Sequence, residues 1–162
     1  TGTGKATLSL QPSSRATHTS CFMTADIILD TAGRDTDGAD VVLSFNPEEL
    51  IVTSIAEGDI YDRFPDKSFD NDTGKINISG ISTVEVPYKG KGVLAKITFG
   101  VSPKASANGL AAKKFDIKFD FDPNNKSKTT DTNVVERGTI KEILDSVTDG
   151  SYFFDPSKCN LD

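Results

Sequence analysis

The chain has 162 residues, ten Phe, no Trp and a formal net charge of −6 at pH 7. This length is typical of one domain that buries its own core, and the 24 acidic against 18 basic residues argue against a nucleic-acid partner. No run approaches the roughly 20 apolar residues of a membrane span and no charged-then-apolar leader opens the chain, so we expect no membrane insertion and a secreted or cell-surface product whose signal segment has been removed.

Alternation of apolar and polar residues, the period of a half-buried β-strand, runs through most of the chain. The clearest example is 115–121, where large apolar residues at odd positions alternate with charged residues at even positions. Such a strand has one buried and one solvated face, so the pattern predicts an all-β jelly-roll sandwich of about nine strands. The strands recognised in chain order lie near 6–10, 21–29, 40–45, 50–55, 76–79, 93–101, 115–121 and 151–154.

One stretch near the end of the chain departs from this alternation. Residues 140–147 carry apolar side chains at helical spacing, and Thr139 with Glu142 three residues later forms a capping box. We therefore predict one short C-terminal helix before the last strand. Because we find no repeat and no linker, we expect a single sandwich over residues 6–154, after a flexible stretch at 1–5 and before a tail at 155–162.

Three segments carry motifs that together resemble a cohesin domain. The turn Phe45-Asn46-Pro47 ends one strand and leads to Leu50, the loop Gly58-Asp59-Ile60 follows, and a later strand opens with Gly92-Val93-Leu94. The motifs occur in the family's order and close to its spacing, and the resemblance extends over 6–154. It implies a non-catalytic extracellular β-sandwich that binds a protein partner, usually a dockerin, through one sheet face.

The resemblance also implies which residues contact the partner. Asp40 matches the Asp that hydrogen-bonds the dockerin helix in dockerin-binding cohesins, whereas Gly38 stands where those cohesins carry a polar Asn. Glu85 lies in a stretch corresponding to a loop that often supplies a Glu. An ordinary solvent face with scattered apolar residues explains the same pattern without a partner. The predicted partner-binding residues are Asp40, Val42, Ser44, Asn77, Ser79, Glu85, Leu94, Lys96 and Thr98.

The two cysteines lie near opposite ends of the chain, with no CxxC neighbour and no clustered His, which argues against metal or redox use. In a sandwich whose first and last strands are neighbours, a disulfide between Cys21 and Cys159 would clamp the C-terminal tail. Closing so long a loop stabilises a fold by roughly 4–5 kcal/mol in the chain-entropy model. Two free buried thiols are the first alternative, which the polar tail disfavours, and an intermolecular bridge is the second.

Acidic residues around Gly38 form a candidate calcium site, although no cofactor is required. The segment 35–40 places three carboxylates around this glycine, and a later loop at 131–133 can approach the same sheet edge. Hard oxygen ligands from separate loops suit Ca²⁺, but no Glu stands at the twelfth position of an EF-hand loop, and a solvated acidic turn is the commoner explanation. The tentative ligands are Asp35, Asp37, Asp40, Asp131 and Asn133.

No constellation of side chains is typical of an enzyme. His18 is the single histidine and lies in a polar stretch, so a Ser-His-Asp arrangement has no support. Carboxylate pairs such as Asp116 and Asp120 lack the aromatic cleft of a glycosidase, since Trp is absent and the three Tyr are dispersed. A carbohydrate-binding module is a weak alternative for the same reason. Triplets that permit N-glycosylation begin at Asn71, Asn77 and Asn125.

The main alternative to a receptor module is a subunit of an extracellular filament. The N-terminal stretch would donate its strand to the next copy of the chain, with Gly2 and Gly4 as the hinge. Ala6, Leu8 and Leu10 would then fill a groove in that copy. Pairing of the same strand within its own domain is the simpler explanation.

Overall fold

The computed structural model describes residues 5–17, 20–125, 128, 130–139 and 141–159. In this part of the chain twelve strands and one α-helix form, and the helix, α1, spans Pro103–Ala107. The strands are β1 (Ala6–Gln11), β2 (Ser14–Arg15), β3 (Phe22–Asp30), β4 (Thr36–Phe45), β5 (Leu50–Glu57), β6 (Arg63–Asp70), β7 (Lys75–Ile81), β8 (Lys91–Val101), β9 (Lys113–Phe119), β10 (Asn133–Glu136), β11 (Leu144–Thr148) and β12 (Gly150–Phe154).

The strands build two sheets that pack face to face, which confirms the predicted β-sandwich. Sheet A has the strand order β11-β1-β3-β8-β5, and sheet B has the order β2-β12-β9-β4-β7-β6. Strand β10 adds to sheet B by pairing with the first half of β4, while β9 pairs with its second half. Most neighbours are antiparallel, but β1 runs parallel to β11 and β2 runs parallel to β12.

Aromatic rings join the two sheets across the core. The ring of Phe99 in sheet A lies 5.0 Å from Tyr152 and 6.4 Å from Phe154, both in sheet B. These rings are fully buried, and tilted or edge-on contacts of this kind stabilise a core beyond the area they bury. The chain thus fills a core without Trp by packing Phe and Tyr between β-branched residues.

Strand β1 lies inside sheet A, between β3 and β11. Its side chains Ala6, Leu8 and Leu10 are completely buried in the chain's own core. This is the intramolecular pairing that the sequence favours over strand donation, and donation to a second copy stays a hypothesis. Residues 1–4 of the predicted N-terminal stretch lie outside the described residues.

The predicted position of the C-terminal helix is wrong. Residues 144–148 form β11, and Glu142 makes an isolated bridge with Val135. The apolar side chains follow helical spacing, but parallel pairing with β1 and burial of Leu144 decide the conformation. The α-helix instead begins after Ser102, whose Oγ accepts the N–H of Lys104 at 3.2 Å. Ile140 and His18 lie outside the described residues.

Several short or edge strands escape the sequence analysis. The most consequential is β6, whose acidic residues suggest a solvated loop. Nearly all its side chains are exposed because it forms one edge of sheet B, so burial imposes no alternation on its sequence. This strand nevertheless adds a row of outward side chains to the sheet.

The predicted disulfide joins Cys21, just before β3, to Cys159 in the C-terminal tail. The tail is also held by Ser106 on α1, whose hydroxyl lies 2.6 Å from the carbonyl oxygen of Cys159 and 2.9 Å from that of Pro156. A short 3-10 helix at Pro156–Lys158 carries the chain to the bridge. The disulfide therefore fixes the end of the chain against the sheet A side of the sandwich.

We expect the double variant Cys21→Ser/Cys159→Ser to lose about 4–5 kcal/mol of unfolding free energy, because the bridge closes a loop of 138 residues. Urea denaturation monitored by circular dichroism measures this loss. The native protein in reducing buffer is the matched control and should show the same loss. A change below about 1 kcal/mol would mean that the bridge closes a loop already restricted in the unfolded chain.

Glu136, at the end of β10, connects this strand to the start of β4. Thr139 donates its hydroxyl to Oε1 at 2.8 Å, and Arg34 Nη1 lies 2.6 Å from Oε2. The hydroxyl bond and the guanidinium charge both hold the pKa of Glu136 below its usual range. The folded pKa thus lies below the unfolded one, so the stabilisation is present above the unfolded pKa and is lost as pH falls through the folded value.

We therefore expect Glu136→Gln to reduce unfolding free energy most near neutral pH, and by progressively less once pH falls below about 4. Urea unfolding of both proteins from pH 7 to pH 3 gives this difference directly. Glu85→Gln, in an exposed loop, serves as the control for a lost carboxylate. A difference between native protein and Glu136→Gln that is constant over this range would contradict the role of the charged carboxylate.

Candidate functional site

The outer face of sheet B presents a patterned set of polar side chains. Along β4, Val41 and Leu43 point into the core, while Asp40, Val42 and Ser44 point outward and are half-buried. This alternation is the ordinary consequence of the strand's two-residue period. The same strand therefore supplies both core and candidate site.

Cross-strand pairing arranges the outward side chains in rows across the sheet. Directly opposed residues on one face lie about 4.5–5.5 Å apart between Cβ atoms, so each row is a line of neighbours. Five predicted partner-binding residues, from β4 and β7, fall together in these rows. The first row is Val135, Gly38, Ile81 and Arg63; the second is Asn133, Asp40, Ser79 and Asp66; the third is Val42, Asn77 and Ser68; the fourth is Lys118, Ser44, Lys75 and Asp70.

The second row borders a groove of about 230 Å³. We call it the acidic groove, because three of its lining residues are aspartates. Its far wall is the segment before β10, which Thr132 fixes by exchanging two 3.0 Å hydrogen bonds with the backbone of Val42. The polar side chains that line the groove are Asp40, Asp66, Asn77, Ser79, Thr130 and Asp131.

The first row is apolar from Val135 to Ile81, with Gly38 between them, and it ends at the exposed Arg63 of β6. A Cβ at Gly38 would lie 2.6 Å from the carbonyl oxygen of Gly80, a distance that side chains essentially never adopt. Close approach of β4 and β7 therefore requires glycine here. The result is a shallow depression of about 200 Å³ between Ile81 and Val135.

The loop between β7 and β8 carries Glu85 beside two exposed apolar residues. Val84 is 91% exposed and Val86 is 63% exposed. Arg137 holds this loop in place: its guanidinium donates to the carbonyl oxygens of Thr83 and Val84 and pairs with Asp37. Exposed apolar side chains on a fixed loop are typical of a contact surface. The alternation of apolar and polar residues could not identify these valines as contact residues, because they lie in a loop outside any alternating strand.

Tyr61 packs against the end of the same loop, through contacts with Thr36 and Tyr88. Its hydroxyl lies 2.6 Å from Thr36 Oγ1, and its ring contacts that of Tyr88 edge-on at 5.8 Å. Burial raises the pKa of Tyr61 to about 12, so the phenol stays neutral and hydrogen-bonded at physiological pH. All three tyrosines of the chain are buried or half-buried, which leaves no exposed Tyr platform for a sugar ring and no support for the carbohydrate-binding alternative.

Three residues predicted for the same face lie elsewhere. Leu94, Lys96 and Thr98 belong to β8, which is in sheet A. Leu94 is completely buried, Lys96 pairs with Asp26 at 3.0 Å, and Thr98 shares a 3.0 Å hydroxyl contact with Thr24. The grouping is wrong because alternation along a strand reveals which residues share a side, but not which sheet the strand joins.

The tentative calcium ligands do not converge. Asp37 pairs with Arg137, and Asp35 contributes its carbonyl oxygen to the backbone N–H of the same arginine. Asp40 and Asn133 are cross-strand neighbours in the second row. Across the described residues, no group of three His, Cys, Asp or Glu side chains is placed to hold a metal ion. The calcium proposal therefore has no support from the structure.

Comparison with known proteins decides the family. A family model described as the Cohesin domain matches residues 29–141. The chain belongs to the cohesin family. Cohesin domains are non-catalytic protein–protein interaction modules, so this chain is not an enzyme. No curated protein sequence matches it significantly.

Solved structures of cohesins superimpose on nearly the whole chain. The cohesin of the Coh-OlpC–Doc435 complex, a type I cohesin–dockerin complex from Clostridium thermocellum, has a TM-score of 0.73 at 16% identity, with 96% of each chain covered. The third cohesin ScaC of Acetivibrio cellulolyticus, bound to the ScaB dockerin, has a TM-score of 0.70 at 16% identity, covering 93% of this chain and 99% of that one. A non-cellulosomal cohesin from the archaeon Archaeoglobus fulgidus has a TM-score of 0.61 at 13% identity, covering 92% and 90%. At these identities the likeness establishes the fold. Among the described residues, no helix is long and apolar enough to span a membrane.

We expect Arg137→Gln to release the loop that carries Val84 and Val86. Amide hydrogen exchange at residues 82–88 should accelerate about tenfold or more, because local opening no longer breaks the guanidinium contacts. The amides of β3, on the other sheet, should be unaffected. Arg63→Gln, an exposed arginine on β6, is the matched control. Unchanged exchange at 82–88 would show that the loop is held without Arg137.

Proposed function

We propose that this cohesin domain binds a protein partner through the outer face of sheet B, and that the partner is a dockerin-like module. The observation that carries the proposal is the arrangement of the rows, which place Asp40, Asn77 and Ser79 side by side. Exposed Val84 and Val86 adjoin the apolar first row. Protein interfaces combine apolar side chains with neighbouring hydrogen-bonding groups in this way.

The dimensions of the face suit a helical partner. Neighbouring strands are about 4.8 Å apart, so β10, β4, β7 and β6 together span roughly 15 Å. An α-helix with its side chains is about 10–12 Å across, so one helix can lie on these strands. Two of the solved relatives described above are complexes with dockerins. Their likeness in fold supports the same class of partner for this chain.

An extracellular location follows from the same proposal. The disulfide between Cys21 and Cys159 requires an oxidising compartment to form and persist. The net charge of −6 suits a soluble module displayed on a cell surface or in an extracellular assembly. We infer that the domain acts there as an adhesion or scaffolding module.

We expect Ser79→Arg to weaken dockerin binding about 30-fold or more, because a long charged side chain at the centre of the face excludes the partner. The measurement is surface plasmon resonance against dockerins isolated from a displayed dockerin library with the native chain. Ser54→Arg, an exposed position on β5 of sheet A, is the matched control and should bind within about twofold of the native chain. Loss of binding in Ser54→Arg, with Ser79→Arg unaffected, would place the interface on sheet A and overturn the proposal.

A further inference from the structure

We propose that the acidic groove accepts one basic side chain, arginine or lysine, of the partner protein. This inference rests on the proposed function, because it names the chemistry of the partner's contact segment. Three aspartates line the groove, and no basic residue is among its described lining residues. A cationic group is therefore the complement that the groove's charge selects.

The three carboxylates come from three separate parts of sheet B. Asp40 and Asp66 lie in the second row, one on either side of Ser79. Asp131 faces the groove from the segment before β10. The basic side chains of the fourth row, Lys118 and Lys75, are two rows away along the strands. The described lining of the groove is thus acidic, while the basic side chains of these rows lie outside it, in the fourth row and at Arg63 of the first row.

Asp131 gives the independent reason to expect a ligand. Only 1% of its surface is exposed. Its Oδ2 accepts the backbone N–H of Asp122 at 2.9 Å, whereas its Oδ1 is buried without a hydrogen-bond partner among the described residues. Buried carboxylate oxygens are normally hydrogen-bonded, because desolvation without a partner is costly. A hydrogen-bond donor supplied by the partner would satisfy this oxygen.

The spacing of the carboxylates favours an organic cation over a metal ion. In the described part of the chain, no three acidic side chains converge closely enough to coordinate a metal. A guanidinium group has five donors and an ammonium group has three, so either can contact carboxylates that a single ion cannot bridge. The volume of about 230 Å³ lies below the roughly 300–1,000 Å³ of sites that enclose small molecules, and it matches a single side chain.

Nuclear magnetic resonance with a small probe tests the groove without an identified partner. The probe is Nα-acetyl-L-arginine amide, and Nα-acetyl-L-citrulline amide, which has nearly the same shape and no charge, is the matched control. We expect the arginine probe to shift the amide resonances of Asp40, Asp66, Ser79 and Asp131 in ¹⁵N spectra. The citrulline probe should leave them in place, and added salt should weaken the arginine effect.

Variants assign the effect to the groove. Asp66→Asn, on the exposed edge strand, should raise the probe's dissociation constant about fivefold or more, and Asp131→Asn should do the same. Asp116→Asn, an outward carboxylate on β9 outside the groove lining, is the control and should bind within about twofold of the native chain. If Asp131→Asn fails to fold, Asp66→Asn still tests whether the arginine probe binds in the acidic groove. Shifts spread evenly over surface carboxylates, or equal binding by Asp66→Asn, would overturn the inference.

The same variants separate this inference from the proposed function. If Ser79→Arg blocks the dockerin partner while Asp66→Asn and Asp131→Asn bind it as the native chain does, the interface stands and the basic-side-chain groove is wrong. If Ser79→Arg leaves partner binding unchanged, the proposed interface itself is wrong, whatever the arginine probe shows. Support for both requires that partner binding falls in all three variants and that the selected dockerins carry Arg or Lys at the groove.

Discussion

The pairing of β4 with three other strands is the constraint on which the rest of the structure depends. Strand β4 pairs with β7 along one edge, and with β10 and then β9 along the other. One set of its side chains completes the core, and the alternate set forms the centre of the candidate site. A slip of one residue in this register would move Leu43 to solvent and Asp40 into the core. The fold and the candidate site are therefore specified by the same hydrogen bonds.

The two sheets have different tasks. Sheet A contains the parallel pair β1 and β11, and the disulfide lies beside its strand β3, whereas β2 and β12 belong to sheet B. Sheet B also carries the rows of outward polar side chains and the loop fixed by Arg137. A partner bound at the proposed outer face of sheet B would leave the disulfide undisturbed. This division suits a non-catalytic module, whose surface must be rigid before its partner arrives.

Sequence reasoning succeeded where burial forces alternation and failed where it does not. Strand β9 was evident because Phe115, Ile117 and Phe119 alternate with charged residues. Strand β6 was missed because an exposed edge strand has no buried face to pattern it, and so Asp66 was absent from the predicted site. The helical spacing ending at Val147 was overridden by pairing with β1. The alternation of residues in β8 also could not predict that this strand belongs to sheet A, because sheet membership depends on pairing with strands distant in the sequence.

Gly38 shows how a change in backbone packing alters what a shared fold presents to a partner. An Asn at this position would bring a Cβ to 2.6 Å from the carbonyl oxygen of Gly80, so a polar side chain here would require a wider separation of β4 and β7. With glycine, the first row becomes apolar between Ile81 and Val135. Hydrogen-bonding capacity is then concentrated one row further along, where Asp40 borders the acidic groove. Adjacent rows of this face thus differ in polarity and charge. A closer approach of two strands can therefore change what the face presents without any change of fold.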